Sequence, residues 1–182
     1  MADPFVVNKS LAGDERDVIR CIGANVCVAR LIDNREVTCV QNPAMGRERR
    51  WGSGTLQRVA DGARRDIAVI GAGPAGLRFA GTAAARGHRV TVYEAAAEPG
   101  GRLRELAALP TRGAWHEGIA NLVRPLERHG ATLECNRRLE AVDLAAELII
   151  CATGARWDAH GYSPYRPERD GIPGSDRAHV ID

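Results

Sequence analysis

The run Gly71-Ala72-Gly73-Pro74-Ala75-Gly76 has the G-x-G-x-x-G spacing of a loop that holds a diphosphate. Each position has a physical task. Gly71 permits a tight turn, and Gly73 lets the backbone approach a pyrophosphate without a Cβ in the way. Gly76 lets the following helix pack closely on the preceding strand. A helix opening at Pro74 presents unpaired N–H groups and the positive end of its dipole to the phosphates. Glu94 lies 23 residues beyond Gly71, where its carboxylate can accept hydrogen bonds from a ribose diol. The same charge repels a 2′-phosphate, which disfavours NADP at this site. Alone, the glycine spacing is weakly specific, and its meaning comes from the elements around it.

Those elements are legible in the pattern. Ile67-Ala68-Val69-Ile70 is a short apolar run ending in glycine, which predicts a buried parallel strand. Pro74 suits the first turn of a helix, where its missing N–H costs nothing, and the helix runs to about Arg86 before Gly87 stops it. Val90 to Tyr93 is a second strand, ending at Glu94. Residues 66 to 94 therefore predict a dinucleotide-binding βαβ unit of the kind that holds the ADP half of FAD. The pair Gly100-Gly101, with Arg102 and Leu103, favours FAD over NAD, because a second glycine pair soon after the ribose acid is typical of FAD-binding domains. Arg102 could meet a phosphate there; a plain surface turn is the alternative. Trp115 to His129 has helical apolar spacing closed by Gly130, with Pro125 expected to kink or break it. Leu148 to Ala152 reads as another buried strand. It carries Thr153 and Gly154 to the sheet edge where ligands of open α/β sheets bind. Prolines at 164, 167 and 173 mark irregular chain beyond.

A second group of residues could bind metal. Of the cysteines at 21, 27, 39, 135 and 151, three fall within residues 21 to 39. An odd number argues against a disulfide framework. Iron–sulfur clusters and zinc sites usually take four ligands. Only Cys21, Cys27 and Cys39 are available here, and the first histidine is His88, so the spacing gives an incomplete metal site. Buried free cysteines packing as small hydrophobes are the alternative.

Composition narrows the class. Hydrophobic residues at 45% and charged residues at 26% suit a cored globular chain of 182 residues. No stretch approaches the roughly 18 continuous apolar residues of a membrane-spanning helix, and the first ten residues lack the apolar core of a secretory signal. The expected location is cytoplasmic, with no membrane partner. A net charge of +2 spread along the chain, with aromatics at 4%, does not make a nucleic-acid surface. Three regions separate: a cysteine-containing segment over 1–43, a Gly- and Arg-rich linker over 44–65, and a strand–helix alternation over 66–182. The expected fold class is α/β: part of a Rossmann-like FAD/NAD(P)-binding domain, preceded by a cysteine-containing irregular or helical segment.

The order and spacing of Cys21 to Cys39, Gln41-Asn42-Pro43, the linker and the Gly71–Gly76 turn resemble one family. It is that of the NADH:flavin oxidoreductases related to trimethylamine dehydrogenase and 2,4-dienoyl-CoA reductase. The resemblance continues through Gly100 to Leu103, Ala152-Thr153-Gly154-Ala155-Arg156-Trp157 and Ile172-Pro173-Gly174, and so covers nearly the whole chain. It implies a larger machine: a (β/α)₈ barrel holding FMN, a four-cysteine segment binding a [4Fe–4S] cluster, an FAD- or ADP-binding domain, and an inserted NAD(P)-binding domain. Electrons pass between nicotinamide or flavin and FMN through the cluster.

Two departures from the family pattern stand out. The second cluster cysteine falls on Ala24, while Cys21, Cys27 and Cys39 match the other three. The barrel is absent too, residues 2 to 20 resembling its last segment, and the chain stops where the nicotinamide domain should begin. The expectation is an interior piece of a longer protein, or a truncated gene product, that carries the dinucleotide site and a degenerate iron–sulfur segment for electron transfer. The family's acid–base residues lie on the barrel, so no catalytic residue is assigned. An alternative is a non-catalytic nucleotide-binding module that assembles with a separate FMN-barrel subunit or with itself. The related iron–sulfur flavoproteins that feed amidotransferase-type synthases share the FAD turn but build their cysteine segment differently.

Overall fold

The computed structural model describes residues 2–52, 54–139 and 145–155, together with 165, 167, 168, 171 and 177. Arg156, Trp157 and Ile172 to Gly174, with most of the proline-rich stretch, lie outside them. In chain order the elements are α1 (Val6–Leu11), α2 (Val26–Ile32), α3 (Glu48–Trp51), β1 (Asp66–Ile70), α4 (Pro74–Ala85), β2 (Arg89–Tyr93), α5 (Arg102–Ala107), α6 (Trp115–His129), β3 (Thr132–Glu134) and β4 (Leu148–Cys151). The strands form one sheet in the order β3-β2-β1-β4, every pair parallel. Such connections require crossovers, which α4 and α6 supply.

The core lies between this sheet and the α4–α6 pair. Val69, Val92 and Leu77 are fully enclosed, with Ile67, Val90, Ala80, Ala84 and Leu126 around them. Hydrophobic burial of this cluster is the main favourable term. Close approach of the two helices depends on Gly81, where an added Cβ would sit 3.0 Å from the Pro125 Cβ. Pro125 lies inside α6 without ending it. The helix runs unbroken from Trp115 to His129 and closes on Gly130 at φ 71°. α4 stops one residue short of Arg86, with Gly87 following at φ 96°.

Several elements go beyond the expectation, and one expectation is corrected. Arg102 and Leu103 begin a helix, α5. The strand β3 has only three residues and too little apolar pattern to read. The stretch over 44–65 holds α3 and a 3-10 turn at Asp61–Ala63. β4 is not buried: it is an edge of the sheet among the described residues, and Leu148, Ile149 and Cys151 are exposed.

Buried polar groups brace the N-terminal segment internally and join it to the helices. Asp3 accepts hydrogen bonds from the Phe5 N–H at 2.9 Å, the Ile19 N–H at 2.8 Å and the Lys9 ammonium at 2.7 Å. Burial pushes the Asp3 carboxyl up, but these donors outweigh it and hold it below its ordinary value. Farther along, buried Gln41 donates to the Arg20 carbonyl and accepts from Asn121 Nδ2 at 2.6 Å. Its own carbonyl accepts from Arg78 Nη2 at 3.0 Å. Gln41 thus joins the cysteine segment to α4 and α6.

Candidate functional site

At the C-terminal ends of β1, β2 and β4 lies a cleft of about 840 Å³, within the size range of small-molecule sites. The turn after β1 forms its floor. Gly71 holds φ 103°, and a Cβ there would lie 2.8 Å from the Ala152 carbonyl carbon. At Gly73 a Cβ would meet nothing within 4 Å, so this backbone faces open space in the cleft. Gly101 packs against it, its own notional Cβ 3.2 Å from the Gly73 Cα. The first turn of α4, Pro74 and Ala75, lines the same space.

Glu94 closes one side. Its Oε2 accepts from the Ala72 N–H at 2.7 Å and its Oε1 from the Ala96 N–H at 2.9 Å. The acid thereby fixes the loop as well as facing the cleft. Gly100 adds a second brace, its N–H reaching the Ala72 carbonyl at 2.7 Å. On the opposite side Arg102 donates from Nε to the Ala155 carbonyl at 3.0 Å and pairs with Glu105 at 3.0 Å.

Nine residues singled out in the sequence therefore share one cleft: Gly71, Gly73, Pro74, Ala75, Glu94, Gly101, Arg102, Thr153 and Gly154. Three others stand behind it. Ala72 is fully enclosed. Gly76 packs under the Gly71 carbonyl and the Ala152 methyl, and Leu103 faces Gly118 of α6. They shape the loop without lining the space. Sequence reading missed Arg137 and Arg138, which line the cleft mouth. Arg137 stacks 5.1 Å from the Tyr93 ring centroid, pairs with Glu134, and donates its backbone N–H to the Glu94 carbonyl at 2.8 Å. The available signal was the Arg pair following Leu133-Glu134, hidden because β3 itself was unread. At Cys135, close by, burial first, then Glu94 and Glu98, push the thiol pKa up.

The three N-terminal cysteines also meet. Cys21, Cys27 and Cys39 line one small hollow, and Ala24 forms part of its wall. Left-handed backbone at Gly23 and Asn25 curls the chain before α2, which carries Cys27. Only three thiols face this hollow, and Ala24 brings a methyl group with no donor atom. Four-thiolate coordination does not fit these residues. Among the described residues no group of three or more His, Cys, Asp and Glu side chains is arranged to hold a single metal ion.

A parallel sheet with a glycine turn between β1 and a crossover helix defines a Rossmann-like fold, and residues 69–135 match the family described as NAD(P)-binding Rossmann-like domain. The chain is 37% identical over 157 residues to the probable N-methylproline demethylase of Rhizobium meliloti (strain 1021), covering 85% of this chain and 23% of that protein. It is 30% identical over 196 residues to the dimethylamine dehydrogenase of Hyphomicrobium sp. (strain x), covering 100% of this chain and 26% of that protein. The solved 6-hydroxypseudooxynicotine amine oxidase of Pseudomonas geniculata N1 superposes with a TM-score of 0.86 at 37% identity, over 98% of this chain and 27% of that one. The chain spans about a quarter of the length of these relatives. Over that quarter it belongs to the family of flavin oxidoreductases to which the dimethylamine dehydrogenase belongs.

Proposed function

We propose that the cleft binds the ADP moiety of FAD, or ADP itself, and that the chain is the dinucleotide-binding portion of a flavin-dependent oxidoreductase. One observation carries this reading: Gly73, the start of α4, Glu94 and Arg102 face a single cleft at the edge where parallel sheets bind nucleotides. In this reading Gly71 and Gly73 give the pyrophosphate room, and the helix N-terminus neutralises it. Glu94 holds the ribose diol, and Arg102 balances phosphate charge. Ala72, Gly76 and Leu103 keep the loop in shape, and Thr153 and Gly154 close the far wall. Bound flavin would supply the redox chemistry; the residues here bind and orient. The division into a cysteine segment to residue 43, a connecting stretch to 65 and the dinucleotide unit beyond is part of the same proposal. FMN and NAD(P)H would sit on further domains, in a cytoplasmic protein.

The test is isothermal titration of the purified chain with ADP, FAD and 2′-phospho-ADP. Saturable binding of ADP and FAD, with the 2′-phosphate form weaker by roughly tenfold or more, is expected from the charge of Glu94. Absence of binding by both ADP and FAD defeats the proposal.

Ala24 favours a second reading, in which the chain binds nucleotide structurally and assembles with a separate barrel subunit or with itself. Iron and sulfide analysis after anaerobic preparation separates the two. A stoichiometric cluster on Cys21, Cys27 and Cys39 supports a role in electron transfer, and its absence supports the structural module.

A further inference from the structure

The cleft has an order along it. Gly73 and the first turn of α4 stand at one end, Glu94 beside them, and Arg137 and Arg138 at the mouth. Backbone contacts fix that order. The Glu94 carboxylate is tied to the glycine turn, accepting from the Ala72 N–H at 2.7 Å. The Glu94 carbonyl is tied to the mouth, accepting from the Arg137 N–H at 2.8 Å. Asn136, left-handed at φ 57°, donates its N–H to the Ala96 carbonyl at 2.9 Å. The chain leaving β3 therefore lies against the chain leaving β2, and Arg137 is held beside the acid.

The Arg137 side chain is also held. Its guanidinium carbon lies 5.1 Å from the centroid of the Tyr93 ring, and its N–H groups pair with Glu134. Tyr93 lines the same cleft. A guanidinium is planar, with a rim of donors and two faces. Glu134 takes part of the rim, and Tyr93 takes one face. The side chain is still 53% exposed, which leaves the second face open. Exposed ion pairs of this kind contribute little stability. What the pair and the ring do supply is orientation: a flat cation that has already lost much of the rotamer freedom that binding would otherwise cost.

We infer that the open face of the Arg137 guanidinium is the stacking platform for the nucleotide base, and that it makes the cleft selective for purine over pyrimidine nucleotides. The inference rests on the reading of the cleft as an ADP site. A nucleoside diphosphate runs phosphate, ribose, base. With the phosphates at Gly73 and the ribose at Glu94, the base falls at the mouth. Guanidinium planes stack on bases through cation–π attraction and dispersion, and a purine offers two fused rings where a pyrimidine offers one. A charge contact between Arg137 and the phosphates fits less well, because Glu134 already balances the guanidinium and Glu94 stands between it and the glycine turn.

The experiment is isothermal titration of the full chain with ADP and with UDP, which share phosphates and ribose and differ in the base. ADP is expected to bind roughly tenfold tighter than UDP. In Arg137→Ala that ratio is expected to fall to about twofold or less, with UDP affinity kept within about threefold, which also reports an intact cleft. Arg137→Lys keeps the charge and loses the plane, and is expected to lose the ratio as well. It decides the question alone if the alanine variant fails to fold. Equal binding of ADP and UDP by the parent, an unchanged ratio in Arg137→Ala, or a ratio fully kept by Arg137→Lys overturns the inference while leaving the ADP site standing. A parent chain that binds neither nucleotide overturns the ADP reading itself, and this inference with it.

Discussion

Gly71 and Gly73 stand two positions apart in one turn, yet alanine should act differently at each. At Gly71 the backbone is left-handed and the new methyl would press on the Ala152 carbonyl. Gly71→Ala is therefore a folding mutation, expected to cost about 2–3 kcal/mol and to lower the melting temperature. Gly73 has φ −74° and open space around it. Gly73→Ala should melt like the parent while losing ADP affinity by roughly a hundredfold, because the methyl occupies the path of the pyrophosphate. Paired melting curves and ADP titrations check both; a Gly73→Ala protein that binds ADP normally removes Gly73 from the site. At Asp3 the folded carboxyl lies below its ordinary 3.8, so its contribution to stability is complete above that value. It is lost as pH falls through the lowered folded value. Asp3→Asn is expected to flatten this acid limb of the unfolding curve and to cost about 1–3 kcal/mol at neutral pH.

At the scale of elements, the α4–α6 crossing sets the core. Gly81→Val places a branched side chain against Pro125, and the rigid ring cannot move aside as a flexible side chain would. A loss of about 1–3 kcal/mol in chemical denaturation is expected. Leu126→Ala, at the same crossing and 1% exposed, should cost about 2–5 kcal/mol through its cavity. These elements also show why parts of the fold were readable. β1, α4, β2 and α6 carry long apolar periods and glycine or proline punctuation, and the structure places them within a residue or so of expectation. α5 was hidden because a glycine pair reads as a turn even when it opens a helix. β3 was hidden by its length, and with it the arginines at the cleft mouth. β4 was overread, since an apolar run does not reveal that its strand stands at an edge.

For the molecule as a whole, β3 and β4 are the sheet edges among the described residues, and several apolar side chains face outward. Leu148 and Ile149 are 38% and 37% exposed on β4, and Leu11, Leu31 and Ile32 are more exposed still. Unpaired edges and apolar surface of this kind promote association. Sedimentation of the isolated chain should show concentration-dependent self-association, and Ile149→Lys should reduce it. A monodisperse parent at high concentration contradicts this. No helix among the described residues is long and apolar enough to cross a membrane.

The Gln41 junction has a consequence in time. Its side chain waits for Asn121, 80 residues further along the chain. At ordinary synthesis speeds of about 5–20 residues per second, that interval is on the order of 4–16 s. Arg78 of α4 is made before α6 and already offers the Gln41 carbonyl a donor, but the segment bearing Cys21, Cys27 and Cys39 lacks its second anchor until Asn121 emerges. Its thiols spend that interval incompletely docked, which makes the redox state of the surrounding medium part of how this chain is made.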